Sequence, residues 1–154
     1  MGELTLHLWT NASPFQAERS AIEYELAFLK DGKVIGTRSE RFIADANQQG
    51  ALLEGLISAL SRINDNSGMP LKVITHNDAI ICRINQRQYE TWSQNGWINA
   101  KGKEVKHAGE WQRVRDLIHK KVSDITARPP GAEDEAIMQR FGAEEINPTI
   151  SFFA

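Results

Sequence analysis

A chain of 154 residues with 41% apolar and 25% charged side chains has the make-up of one ordinary water-soluble domain, large enough to bury a core without staples. One cysteine, Cys82, excludes an internal disulfide, and no apolar run approaches the ~18 residues of a membrane span; without a basic-apolar leader, the expected setting is cytoplasmic, with no membrane partner. The formal charge of -2 is unevenly spread: residues 83–128 carry ten Lys/Arg against five Asp/Glu, while 1–82 carry seven against ten and 129–154 one against five, so attraction to nucleic acid is expected only of the middle segment.

Residues 4–13 read as the central strand. Leu4, Leu6 and Leu8 alternate with Thr5, His7 and Trp9, and Asn-Ala-Ser-Pro closes the strand. Residues 21–29 and 34–43 follow as two more strands, joined by Lys30-Asp31-Gly32-Lys33, a hairpin signal. The chain thus opens as an antiparallel meander. Residues 47–63 predict a helix with Leu52, Leu53, Leu56, Leu60 and Ile63 on one face, capped by Asp45 or Asn47. Beside them run Ala51, Gly55 and Ser58, small enough for a close approach to a sheet.

Residues 71–75 predict a fourth strand, reached by a parallel crossover. Asp78 is expected to cap a helix running to about residue 86, within which Cys82 reads as a buried small hydrophobe. A short helix at 89–95, a Gly-punctuated basic excursion at 96–103, a helix at 110–121, a fifth strand at 122–127 and a last helix at 132–141 complete the order. The expected fold class is α/β, a mixed five-stranded sheet of three antiparallel and two parallel strands with helices on both faces. Residues 1–143 form the domain and 144–154 an apolar tail ending in Phe152 and Phe153. That tail is expected to fold back, or else to offer a surface for self-association or a protein partner.

The order, and the run Trp92-x4-Trp97, then Lys101, Lys103, Val105 and Lys106, then Trp111-Gln112-Arg113-Val114, resemble bacterial ribonuclease HI with its basic protrusion and following helix. The resemblance implies a ribonuclease H-like fold over residues 4 to about 128, and a duplex, RNA–DNA hybrid above all, as partner. It also implies chemistry by carboxylates holding two divalent ions. At three of four expected carboxylate positions the charge is gone: the residues are Asn11, Ala51 and Asn77. The fourth falls near Ile137 or on Asp134.

An amide offers at most a carbonyl oxygen and alanine offers nothing, so the expected protein is an inactive homologue with no metal and no cofactor. The expected nucleic-acid contacts are Asn47, Gln48, Trp92, Lys101, Lys103 and Lys106, with Trp92 the exposed aromatic and Trp97 and Trp111 core. Two alternatives stand beside this: a protein-interaction module on the same fold, and a magnesium-dependent hybrid endoribonuclease rebuilt on Asp78, Glu54 and Asp134. Each carboxylate has a plainer reading: Asp78 as a cap, Glu54 as a solvated charge and Asp134 as acidic dressing at a helix start.

Overall fold

The computed structural model describes residues 2–12 and 19–142. The loop with Pro14 and the tail with Phe152 and Phe153 lie outside the described residues. Strand β1 (Gly2–Thr10) pairs antiparallel with β2 (Arg19–Lys30), which pairs antiparallel with β3 (Lys33–Asp45) across the Asp31-Gly32 turn. Asp31 and Gly32 both take positive φ, the backbone demanded by a tight hairpin. Helix α1 (Gln48–Ser61) crosses to β4 (Pro70–Ile74), which lies parallel to β1 and to β5 (Asp124–Arg128). The sheet order is β3-β2-β1-β4-β5. Between β4 and β5 come α2 (Asp78–Asn85), α3 (Gln88–Gln94) and α4 (Ala108–Lys121).

The period of two in β1 sorts the molecule into layers. Leu4, Leu6 and Leu8 point into one core with Ile22, Tyr24 and Leu26 of β2 and Leu52, Leu53, Leu56 and Leu60 of α1. A Cβ on Gly55 would stand 2.6 Å from Leu8 and 2.8 Å from Ile22, so α1 lies as close to the sheet as a glycine permits. Trp111, Val114 and Ile118 of α4 join the same core.

The other face of β1 is capped by the chain's end, a single 3-10 turn (Ala132–Asp134) followed by the four-residue helix α5 (Glu135–Met138). That is shorter than the helix expected over 132–141. His7 is buried there and its Nε2 lies 2.8 Å from Asp134 Oδ1. Asp134 Oδ2 accepts from Arg128 Nη1 at 2.7 Å and from the Gly131 N–H at 2.8 Å. Asp134 is therefore a buried latch between the last turn and the sheet, not solvated dressing. Burial pushes its carboxyl up, but Arg128, the Gly131 N–H and His7 outweigh that and hold it well below the usual carboxylate range.

Two other expectations are corrected. Asn77, not Asp78, caps α2: its side chain accepts from the Ile80 N–H at 2.9 Å, and Asp78 is an exposed first-turn residue. Cys82 is exposed because Ile80 and Ile84 are the buried face of α2, and a residue two positions from each turns to the opposite side.

Candidate nucleic-acid interface

Two features share one face: a small cleft at the carboxyl ends of β1 and β4, and a broad groove beneath α2, α3 and the basic excursion. The cleft, about 110 Å³, is lined by Leu8, Trp9, Thr10, Gln48, Leu52, Thr75, His76 and Asn77, none of them a carboxylate. Its two amide side chains are bonded to each other and to the backbone. Gln48 Nε2 donates to the Ala12 carbonyl at 2.9 Å, Asn77 Nδ2 donates to Gln48 Oε1 at 2.7 Å, and Asn77 Oδ1 serves as the α2 cap.

Asn11 is spent likewise: its Oδ1 accepts from the Ala21 N–H at 2.8 Å, extending the β1–β2 ladder by one side chain. Ala51, on the buried face of α1, is fully buried and its methyl group offers no ligand atom. Asn47 caps α1 by accepting from the Gly50 N–H at 2.9 Å.

Hard divalent ions need charged oxygens. Here the amide oxygens of Asn11, Gln48 and Asn77 already accept N–H bonds, so the residues present do not fit a two-metal centre. The three acids that might rebuild one are scattered. Glu54 faces Arg113 of α4 at 3.8 Å, Asp134 is locked beneath the sheet, and Asp78 stands in solvent. Among the described residues no group of three or more His, Cys, Asp or Glu is placed to hold a metal ion.

The groove is larger, about 620 Å³, and is lined by Arg83, Gln88, Trp92, Asn95, Ile98 and Lys106 among others. Its floor is Trp92, backed by an aromatic cluster. Trp111 is fully buried, its ring 6.2 Å from Tyr89 and 5.9 Å from Trp92, and Trp92 stands 6.4 Å from Trp97. Trp92 is therefore half-buried rather than the exposed aromatic expected, since the rings of Trp97 and Trp111 pack against it while it also lines the groove. The Arg83 guanidinium sits 6.0 Å from the centroid of that ring, and its Nη1 donates to Gln49 Oε1 at 2.7 Å. Arg83 thus joins the start of α1 to the groove.

Asn99 folds the basic excursion. Its Oδ1 accepts from the Lys101 N–H at 2.9 Å and the Lys103 N–H at 3.1 Å, while its N–H donates to the Lys103 carbonyl at 2.8 Å. A bridge between Ile98 and Glu104 and the bond from the Val105 N–H to the Trp97 carbonyl close the loop's base, and the Trp97 N–H, donating to the Trp92 carbonyl at 2.8 Å, ties it to α3. Lys101 and Lys103 ride exposed on the loop and Lys106 lies in the groove wall.

Sequence reasoning missed Arg83, Gln49 and Asn99. Arg83 opens the basic segment and was legible only as charge. An Asn two and four residues before bonded amides is a recognisable side-chain turn.

Sheet order, crossover and cleft position define a ribonuclease H fold. No protein-family model matches the chain. A ribonuclease H of Syntrophomonas wolfei subsp. wolfei is 31% identical over 77 residues, covering 50% of this chain and 52% of that protein, so the match spans about half the length of the curated relative. Among solved structures, the foamy viral protease–reverse transcriptase in complex with an RNA/DNA hybrid superposes with a TM-score of 0.65 at 19% identity, over 90% of this chain and 18% of that one. The RNase H1 of Halobacterium salinarum superposes at 0.56 and 14% identity, over 89% and 98%. The chain has the ribonuclease H fold, and half of its sequence carries the similarity to a ribonuclease H as well.

Proposed function

We propose that this protein binds nucleic-acid duplexes, RNA–DNA hybrid among them, through the groove of Arg83, Trp92 and Lys106 and the loop of Lys101 and Lys103, and that it does not cleave them. The observation that carries this reading is the pairing of two neighbouring features. A basic, aromatic-floored groove is retained, while the cleft beside it is filled by neutral amides bonded to one another. The fold's likeness to a reverse transcriptase complexed with a hybrid supports the choice of ligand.

Lys and Arg on phosphates release counterions, so affinity falls steeply with salt. The open side of Trp92 supplies a sequence-tolerant apolar contact. Asn47, Gln48 and Gln49 extend the same face toward the cleft, where amides reach a sugar or base edge without drawing in a metal ion.

The test combines binding and cleavage on one substrate. A labelled RNA–DNA hybrid, with duplex DNA and duplex RNA beside it, is titrated by fluorescence anisotropy across a salt series. The hybrid is then incubated with excess protein and magnesium or manganese. Salt-dependent binding, lost in the Lys101→Ala, Lys103→Ala, Lys106→Ala triple variant, with the RNA strand left whole, is the expected result. Metal-dependent cutting that Asp78→Ala abolishes would overturn the inactive reading. Binding unchanged in the triple variant would overturn the groove.

A further inference from the structure

Among the described residues β3 is the outer strand on one side of the sheet and pairs only with β2. An outer strand leaves a row of N–H and C=O groups able to template another strand. This one runs thirteen residues, and Val34, Ile35 and Ile43 on it are 60%, 60% and 53% exposed. Proteins commonly blunt such an edge with charge. The charges of β3 are arranged differently.

In a two-fold antiparallel pairing, residues equally far before and after the axis face one another. With the axis at Ser39, Arg38 faces Glu40 of a second copy, Thr37 faces Arg41 and Gly36 faces Phe42, and symmetry makes each of these pairs twice. Moving the axis to Arg38 or to Glu40 sets that charge against its own copy, which is destabilising. The regular pairing of β3 with β2 holds from Gly36 to Asp45, and the one irregularity falls between Phe28 and Leu29, beside Ile35. Within the chain, Arg38 already reaches Glu40 at 3.2 Å, and Arg62 reaches it at 3.3 Å. These are surface pairs of small worth, free to be shared with a second copy.

We propose that β3 is a self-association edge: two copies of this chain pair antiparallel through β3 about Ser39, joining their sheets into one. The surface is separate from the groove and uses neither Phe152 nor Phe153.

The full chain is examined by sedimentation equilibrium over a wide concentration range, and a reversible dimer is expected. Arg38→Glu sets two carboxylates face to face and should weaken the dimer at least tenfold. The swap Arg38→Glu with Glu40→Arg restores complementarity and should restore association. Melting curves by circular dichroism confirm that each variant folds.

Register is read by cross-linking in a Cys82→Ser background. Facing residues lie roughly 4.5–5.5 Å apart at Cα, inside the disulfide range of about 4.4–6.8 Å. Ser39→Cys should therefore oxidise to a covalent dimer. Thr37→Cys, whose copies would stand roughly 14 Å apart along the strand, should not. A monomer at every concentration, a dimer indifferent to Arg38→Glu, or cross-linking at 37 as fast as at 39 would each overturn the proposal.

Discussion

At the scale of single residues, Asp134 and Asn77 show polar groups engaged in holding the fold together. Asp134 is buried with His7, and Arg128 completes the cluster. Removing one partner of such a cluster leaves an uncompensated charge, so Asp134→Ala should lower stability by about 3 kcal/mol in urea denaturation. The pH dependence has a definite sign. The folded carboxyl lies below its ordinary value of 3.8, so its contribution is complete at neutral pH and fades as pH falls through about 4 and below. The gap between wild type and Asp134→Ala in urea midpoint should therefore narrow from pH 7 to pH 3. Asn77→Ala loses the α2 cap and the bond to Gln48 together, and a loss of roughly 1–2 kcal/mol is expected from the same measurement.

At the scale of elements, α1 is held by closeness to the sheet and the basic loop by one side chain. Gly55→Ala would drive a methyl group into Leu8 and Ile22, and destabilisation of roughly 1–3 kcal/mol by thermal unfolding is expected. In the Asn99 loop the lysines are exposed, and the Asn99 Oδ1 bonds to their amides help set their spacing, beside the backbone bonds of the loop. The binding face is thus built from a rigid aromatic floor and a short, locally organised loop. This explains why lysines flanked by glycines can still present a defined surface.

At the scale of the whole molecule, a chain of net charge -2 needs a local excess of positive charge to attract a polyanion, and residues 83–128 carry ten Lys/Arg against five Asp/Glu. Arg83 stands at the junction of α1, α2 and the groove, and Arg83→Ala should weaken duplex binding about equally across sequences. It should also reduce the slope of log affinity against log salt by about one. Anisotropy titrations at four or five salt concentrations measure both. Because β3 lies at the sheet edge and the groove is lined by α2, α3 and the basic excursion, a paired molecule would carry two grooves, and duplex binding should survive Arg38→Glu.

By itself the sequence determined the mixed sheet and its parallel crossover. Period-two leucines in β1, an Asp-Gly turn and a leucine-striped helix each admit one local structure, and a strand–helix–strand run admits one crossover. It also determined that Asn11, Ala51 and Asn77 bring no charge, since residue identity needs no coordinates. Only the tertiary structure decided what those positions do instead. The bonds from Gln48 to Ala12 and from Asn77 to Gln48 join residues 36 and 29 apart in the chain. The burial of Asp134 under His7 spans 127. Contacts of that separation leave no periodic trace, because they depend on where whole elements come to rest. The half-burial of Trp92 and the exposure of Cys82 belong to the same class. Local pattern names the apolar or polar type of a residue, and packing against distant neighbours chooses which side of it meets water.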